Sequence, residues 1–408
     1  MTCACLCCSA ALSAAQATDQ AGACLLMAGS SLALSRTAFS NNSASTAGGA
    51  VSVLDGAKLS CSSRCNFSSN SAALGGAIAV HSASVDLTDT ALVRNTAPAA
   101  LVTVVYAKNQ MRAGSGGAVF AANASLSLSK SSLQDNSAEA RGGALQLLSS
   151  TASLVGTKLT GNRAAAAAAS STAGANATGA AAASRLTTAG GAILAGLLPV
   201  AGNGSKQAQL LLQDCVLSGN TAGFGGAIAA VDVAADVQQA PAAATGVQPP
   251  AAPLSIVLVG SFLSNNAAGA SGGAVFTSLP SASLTINNSK VSSNTAAEGG
   301  GGIAAVTPAA VEVVGSSVSG NQAAFCAGML LDTSARASAV RGSRFERNVA
   351  MQQLRDSNSF GQLPRWNSSG SGGGMCIIPG GPVAVTKSTI TLNTALYGGR
   401  LGPGLSVP

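Results

Sequence analysis

The chain of 408 residues is long enough for two or three globular domains, but its composition points elsewhere. Hydrophobic residues make up 47% of it and aromatic residues only 3%, so any core must be thin and lined by small aliphatic side chains. The net charge is +7, and the few aromatics and the lack of a recognisable module argue against nucleic-acid binding. No apolar run approaches the ~18–20 residues of a membrane-spanning helix, so we expect no transmembrane segment.

The first 22 residues are interpreted as a degenerate segment or partial coil, with four of the ten cysteines among the first eight residues. They include a short apolar stretch with a small-residue end, but no Lys or Arg precedes it, which disfavours a cleaved signal peptide. We expect the chain to begin partway through a longer repeat array.

From residue 23 onwards one repeating unit organises the sequence. An apolar residue is followed by Asn three positions later, by Ala after two more, and then by a Gly-Gly-Ala-aliphatic segment. An alternating stretch such as Val85-Asp86-Leu87 comes next and indicates a half-buried strand. Most repeat asparagines are 25 to 29 residues apart, enough for three short strands and three turns, and wider spacings indicate an inserted loop. The repeat asparagines are Asn42, Asn70, Asn95, Asn136, Asn162, Asn220, Asn265, Asn294, Asn321, Asn348 and Asn393.

These residue types predict an all-β fold, a right-handed parallel β-helix solenoid of about eleven coils with inserted loops. An Asn at a turn tolerates left-handed backbone, and asparagines stacked one per coil can form an amide ladder. Glycine permits positive φ and close backbone approach, and Ala fits a crowded corner. A helical-hairpin repeat is disfavoured, because the glycine pairs and the Ser, Thr and Val content suit strands better.

We assign residues 23–401 to one solenoid and 402–408 to a tail. Inserted loops are predicted at 96–115, 163–189, 233–253 and 349–371, of which 163–189 is Ala-rich and 233–253 Pro-rich. The only tryptophan, Trp366, falls in the last insert, where packing that anchors the loop is favoured over stacking on a sugar.

The cysteines within the repeats carry separate predictions. No two Cys-x-x-Cys units are paired along the chain, and the single His81 has no cysteine cluster near it, so we predict no metal site. Cys24 and Cys376 fall where other units have small or aliphatic core residues, which predicts buried thiols. Cys61 and Cys65 could form a disulfide in an oxidising compartment.

The Gly-Gly-Ala-aliphatic and Phe-x-x-Asn segments resemble the repeats of the chlamydial polymorphic outer membrane proteins, from roughly residue 39 to 401. In that family the repeats form a surface-exposed β-helical passenger implicated in adhesion, followed by an outer-membrane β-barrel. The resemblance implies a cell-surface role for a passenger alone, since no barrel segment is expected in this sequence. Four units keep the Phe of the motif, at Phe39, Phe67, Phe262 and Phe345.

Parallel β-helices include polysaccharide-active enzymes, which need clustered acids for acid–base catalysis or for binding calcium. Here the acidic residues are spread thinly, and no three fall at matching positions of adjacent coils. The best constellation is His81 with Asp86 and Asp89, but Asp86 alternates with core residues and should face solvent. We predict no catalytic residue, no cofactor and no metal; the alternative is a polysaccharide lyase or hydrolase with an unusual or degenerate site.

Cationic residues concentrate late in the chain. Between residues 336 and 365 there are six arginines and only two acidic residues, Glu346 and Asp356. Arg341, Arg344 and Arg347 are candidate contacts for a polyanion, and the alternative is that they form only a solvated face. We therefore predict a non-catalytic extracellular or cell-surface β-helix for adhesion, wall association or carbohydrate contact. Its partner would be an acidic polysaccharide or another surface protein. Seven N-glycosylation sequons, none at a repeat Asn, would suit a secreted eukaryotic protein: Asn41, Asn66, Asn123, Asn176, Asn203, Asn287 and Asn367.

Overall fold

The computed structural model describes residues 11–13, 15–17, 22–99, 104–106, 109–111, 113–165, 188–198, 208–231, 233, 237–239, 253–306, 310–332, 337–351, 372–378 and 382–395. Within these ranges the backbone forms strands, bridges and turns, and no helix is present that could cross a membrane. Residues 1–10, the tail, Trp366 and most residues of the predicted inserts at 163–189, 233–253 and 349–371 lie outside the described ranges.

Three parallel sheets run through all eleven coils, and a fourth, of nine strands, begins in coil 3, so that each coil from 3 to 11 adds one strand to each sheet. Sheet I holds the strands that follow the glycine segments, sheet II the alternating stretches, sheet III the strands before the repeat asparagines, and sheet IV the dipeptides after them. Neighbouring strands within each sheet come from successive coils and pair in parallel. This arrangement is the predicted right-handed parallel β-helix. We number its coils 1 to 11 by their repeat asparagines.

The strands of sheet I are Cys24–Leu26, Val51–Leu54, Ile78–His81, Val119–Ala122, Leu145–Leu148, Ile193–Gly196, Ile228–Ala230, Val275–Thr277, Ile303–Ala305, Met329–Asp332 and Met375–Ile378. The strands of sheet II are Ser31–Leu34, Lys58–Cys61, Ser84–Thr88, Ser125–Ser129, Thr151–Val155, Ala208–Gln213, Leu254–Val259, Ala282–Asn287, Ala310–Val314, Ser338–Arg341 and Val383–Thr386.

The strands of sheet III are Ala11–Ser13, Ala38–Ser40, Asn66–Ser68, Ala91–Val93, Ser132–Gln134, Lys158–Thr160, Val216–Ser218, Phe262–Ser264, Lys290–Ser292, Ser317–Ser319, Arg344–Glu346 and Thr389–Thr391. The strands of sheet IV are Thr96–Ala97, Ser137–Ala138, Arg163–Ala164, Thr221–Ala222, Ala267–Ala268, Thr295–Ala296, Gln322–Ala323, Val349–Ala350 and Thr394–Ala395. Outside these four sheets, Gln16–Ala17 pairs with Ser43–Ala44, and a small antiparallel sheet joins Val104–Tyr106, Asn109–Met111 and Val237–Gln239.

The inward side chains of sheets I, II and III meet in one continuous core. Period-two alternation explains this, because every second residue of each strand points inward. Val51, Leu59 and Phe67 represent the three sheets in coil 2, and all three are fully buried. Phe67 stacks on Phe39 of coil 1 with ring centroids 4.9 Å apart, one coil spacing.

The outer face of sheet I is also covered, a feature that the repeat pattern did not indicate. The segment between each repeat Asn and its glycine pair folds back over this face, so outward residues such as Phe120 and Leu194 lie in a second apolar cluster with Leu74. Glycine makes the fold-back possible. Gly75 adopts φ +64°, and a Cβ on Gly76 would lie 2.2 Å from the carbonyl oxygen of Gly117. The exposed sheet surfaces are therefore the outer faces of sheets II and III.

The repeat asparagines form a column of amide hydrogen bonds at the end of sheet III. Nδ2 of Asn70 donates to Oδ1 of Asn95 at 3.0 Å, and the same oxygen accepts the backbone N–H of Asn70. The second hydrogen of Nδ2 is donated to the Phe39 carbonyl of the preceding coil at 3.0 Å. The column satisfies both amide hydrogens of its buried members. Its residues are Asn42, Asn70, Asn95, Asn136, Asn162, Asn220, Asn266, Asn294, Asn321, Asn348 and Asn393.

In coil 7 the ladder residue is Asn266, so the assignment of Asn265 was wrong. Both asparagines fit the repeat pattern, but Oδ1 of Asn266 accepts from Asn220 at 2.9 Å, whereas Asn265 is exposed. Asn265 has φ +56° and occupies the left-handed position that precedes every ladder Asn. It is this preceding residue, and not the ladder Asn, that takes the left-handed geometry.

A second, unpredicted column of hydroxyl groups lies at the turn between sheets II and III. The backbone N–H of Ser289 donates to Oγ of Ser316 at 3.1 Å, and that hydroxyl donates to the Val314 carbonyl at 2.8 Å. Cys215 takes this position in coil 6, where burial raises the pKa of its thiol to about 11. The other hydroxyl residues at this turn are Thr37, Thr90, Ser131, Thr157, Ser261, Ser343 and Ser388.

Two disulfides join cysteines within the repeats. Cys61 and Cys65 are bridged within coil 2, as their spacing allowed. The prediction of a buried thiol at Cys376 was wrong, because Cys376 bridges Cys326 of the preceding coil. The physical reason is the register: Met375 points into the core, so alternation places Cys376 on the outer face. Cys24 pairs with the inward Val51 and packs against the main core.

Candidate functional site

The outer faces of sheets II and III present columns of polar side chains at the regular coil spacing of ~4.8 Å. Most are Ser and Thr, as in the outward residues Ser84, Ser125 and Thr151 of sheet II, which are in register across coils 3 to 5. Two places on the described surface are candidates for a site: a cluster of cations towards the end of the solenoid and a groove near its beginning.

The cluster of cations, called here the cationic ridge, comprises Lys290, Arg341, Arg344, Arg347 and Lys387 in coils 8, 10 and 11. Arg344 and Lys290 occupy the same outward position of sheet III, with Ser317 between them. Arg341 ends its strand of sheet II and pairs in register with Thr386, next to Lys387. The register thus brings to one surface three residues that the sequence nominated and two lysines that it did not.

Two carboxylates contact the arginines of the cationic ridge. Arg341 Nη1 lies 3.2 Å from Glu312 Oε1, and Glu346 accepts from Arg344 Nε at 2.8 Å. Glu346 also lies 3.6 Å from Arg347 Nη2. Five cations against two carboxylates leave a local net charge of +3.

The arginine side chains remain more than half exposed, at 58%, 59% and 71%. Exposed ion pairs are weak, so an anionic ligand can compete with the carboxylates for the guanidinium groups. Arg336, Arg355 and Arg365 of the predicted cluster lie outside the described residues.

An exposed aromatic ring borders the cationic ridge. The repeat pattern assigned Phe262 as the Phe of the motif in coil 7, but Leu263 fills the core there and Phe262 points outward, 52% exposed. Phe262 pairs in register with Lys290, so the ring lies one coil from the nearest cation of the ridge. The sequence contained a signal for this register: Ser261 stands two residues before Leu263, as Ser, Thr or Cys does before the core residue of the other units.

A polar groove of about 340 Å³ runs along coils 2 to 5, at the turn between sheets I and II. Ser82, Asn123 and Ser149 line one side, and the start of the sheet II strands lines the other. Its remaining lining residues are Gly56, Lys58, Ala83, Ser84, Ala124, Ser125 and Thr151. No sequence motif marked the groove, because the residues that form it are ordinary turn residues brought together by stacking.

The constellation of His81, Asp86 and Asp89 is not assembled as an acid–base pair in the contacts that the structure shows. Nδ1 of His81 lies 3.7 Å from Oδ1 of Asp55, a residue of the preceding coil. Asp86 is exposed, as its alternation predicted. Burial lowers the pKa of His81, although Asp55 opposes this by charge and hydrogen bonding. Within the described residues no group of three His, Cys, Asp or Glu side chains has the arrangement of a metal site.

Comparison with known proteins gives one short sequence match and a weak structural similarity. A family model described as the Chlamydia polymorphic membrane protein repeat matches residues 36–53, which include the Phe-x-x-Asn and Gly-Gly-Ala-aliphatic segments of coils 1 and 2. A search of curated protein sequences gave no significant match.

Among solved structures, the periplasmic alginate epimerase AlgG is 9% identical over 90% of this chain and 78% of that chain, with a TM-score of 0.34. A double mutant of that epimerase is 10% identical over 91% of this chain and 78% of that chain, with a TM-score of 0.36. A similarity this weak gives no information about activity. The sheets and the repeats define the protein: it is a right-handed parallel β-helix repeat protein whose repeats resemble those of the chlamydial polymorphic membrane proteins.

Proposed function

We propose that this protein is a non-catalytic extracellular or cell-surface solenoid that binds acidic polysaccharide through the cationic ridge. The observation that carries the proposal is the ridge itself, in which a rigid sheet holds cations at multiples of the coil spacing. Guanidinium groups form strong, often bidentate hydrogen bonds with carboxylate and sulfate. A polymer with regularly repeated anionic groups suits this surface, because successive charges of one polymer can meet successive cations.

The two disulfides support the proposed location. Disulfides persist in secreted and envelope compartments and are rare in the reducing cytosol. One bridge joins Cys61, at the end of a sheet II strand, to Cys65 in the following turn, and the other joins Cys326 and Cys376 beside the outer face of sheet I. An oxidising compartment is also where a polysaccharide of a cell wall or matrix would be met.

Phe262 suggests that the ligand contains sugar rings as well as charge. An exposed aromatic ring beside a cation can pack against the apolar face of a pyranose while the carboxylate of that sugar meets Lys290, one coil away. A linear polyphosphate has the charge but no such face. Phe262 therefore favours an acidic polysaccharide over other polyanions.

Binding experiments with polygalacturonate and with linear polyphosphate test this proposal. Affinity for polygalacturonate should fall steeply as added salt shortens the screening length from ~10 Å at 0.1 M towards ~3 Å at 1 M. The variant Phe262→Ser, which introduces the residue found at this position in coils 4 and 9, should bind polygalacturonate about tenfold more weakly and polyphosphate within twofold of the parent. No binding of the parent at low salt would refute the proposal, and equal loss for both polymers would refute the role of the ring.

A further inference from the structure

We infer that the groove of coils 2 to 5 is a second carbohydrate site, one that takes a short oligosaccharide with a carboxylate near Lys58. This inference does not depend on the proposed function of the cationic ridge, which lies in coils 8 to 11. The groove runs along the solenoid axis across four stacked coils, a length of about 14 Å from the first to the last at the usual strand spacing. Its volume and elongated shape suit a segment of a few sugar units.

The chemistry of the lining suits sugar hydroxyl groups. The side chains of Ser84, Asn123, Ser125 and Thr151 offer hydroxyl or amide groups, each able to donate and to accept. Within the described part of the chain these side chains make no hydrogen bond with one another or with other residues, whereas the hydroxyls of the turn between sheets II and III are engaged. They are therefore available to a ligand.

The rest of the lining defines the ligand further. Ala83 and Ala124 are small and nearly buried, so they form a shallow apolar floor against which the CH groups of a sugar can rest. Among the described residues of the lining, Lys58 is the only charged one, and it lies in coil 2, at one end of the groove. One cation at one end favours a ligand with a carboxylate there, and the hydroxyl and amide groups along the remainder would meet the hydroxyl groups of the other sugars.

A peptide is a less suitable ligand for this groove. A peptide bound in extended form pairs with the free edge of a sheet through its backbone. The strands beside the groove already have neighbours on both sides, because the strands starting at Ser84 and Ser125 each pair with the coils before and after them. Side-chain hydroxyls are what the groove offers instead.

His81 provides a local probe of the groove. Nε2 of His81 lies 3.5 Å from Oγ of Ser82, which lines the groove, and His81 is the only histidine of the chain. Its imidazole resonances can therefore be assigned without ambiguity. Trigalacturonate and cellotriose serve as an acidic and a neutral ligand, and the protein should come from a host that does not attach glycans to the Asn123 sequon.

The experiment follows the His81 resonances during titration. Trigalacturonate should shift them in a saturable way, and Ser125→Tyr, which fills the groove, should weaken binding at least tenfold. Ser255→Tyr is the matched control, because Ser255 occupies the same outward position in coil 7, outside the groove, and should bind within twofold of the parent. Lys58→Ser should weaken binding of trigalacturonate about tenfold and leave cellotriose unchanged.

Three outcomes would overturn the inference: no response of His81 to either sugar, equal effects of the two tyrosine variants, or no effect of Lys58→Ser. A failure of the proposal for the cationic ridge can be distinguished from these three outcomes. A protein with Arg341, Arg344 and Arg347 replaced by Ser should still show the full His81 response to trigalacturonate.

Discussion

Replacing Asn266 by Asp should destabilise the protein by at least about 3 kcal/mol, whereas Asn265→Asp should leave the free energy of unfolding almost unchanged. Nδ2 of Asn266 donates to the Leu217 carbonyl at 3.0 Å and to Oδ1 of Asn294 at 2.9 Å. In Asn266→Asp an oxygen would face both of these acceptors in a fully buried site, so two hydrogen bonds are lost and a charge is buried.

The neighbouring substitution is a matched control, since it makes the same one-atom change one residue earlier. Asn265 is exposed, and Asp135 already occupies the equivalent left-handed position of coil 4 with φ +54°. Chemical denaturation of both variants at pH 7 measures the effect. Equal stability of the two variants would show that the amide column does not hold the coils together.

Removal of the Cys326–Cys376 disulfide should lower the free energy of unfolding by up to about 4 kcal/mol. The bridge closes a loop of 50 residues, and restricting a loop of that length in the unfolded chain stabilises the fold by roughly this amount in the chain-entropy model. The variant Cys326→Gly/Cys376→Ser is suitable, because most other coils have glycine at the position of Cys326, where φ is +51°.

The Cys61–Cys65 bridge is the internal comparison for this prediction. Its two cysteines are separated by only 4 residues, for which the same model gives about 2 kcal/mol. Cys65→Ser introduces the hydroxyl that other coils carry at this turn, so Cys61→Val/Cys65→Ser should be the milder double variant. Denaturant titration should rank the two in that order, and a parent-like stability of Cys326→Gly/Cys376→Ser would contradict the prediction.

The architecture could be predicted from the sequence because it depends on repeated local chemistry. Eleven Asn-x-Ala units with alternating strands allow one stacked arrangement in which the asparagines meet. The fine register could not be read in the same way. Asn265 and Asn266 both satisfy the pattern, and only the buried hydroxyl at Ser261 distinguishes the alternatives. That error of one residue also assigned Phe262, instead of Leu263, as the apolar residue of the unit.

The two candidate sites could be predicted from the sequence to different degrees. The arginines of the cationic ridge were visible as a cluster along the sequence, but Lys290 and Lys387 join them only through stacking of coils 8 to 11. The groove had no local signal at all, since its lining comes from four turns that are distant in sequence. Cys376 shows the same limit: its partner depends on whether a strand residue points inward or outward, which a shift of one residue reverses.

The most direct test of the account is the affinity for polygalacturonate of the variant Arg341→Ser/Arg344→Ser/Arg347→Ser at low salt. Serine occupies the equivalent positions in other coils, as at Ser129, Ser317 and Ser293, so the variant should keep the stability and the strand-dominated circular dichroism spectrum of the parent. The cationic ridge would lose three of its five positive charges, and binding should fall at least a hundredfold, an effect of about 3 kcal/mol. A folded triple variant that binds polygalacturonate as tightly as the parent would contradict the proposal that the ridge is the binding surface.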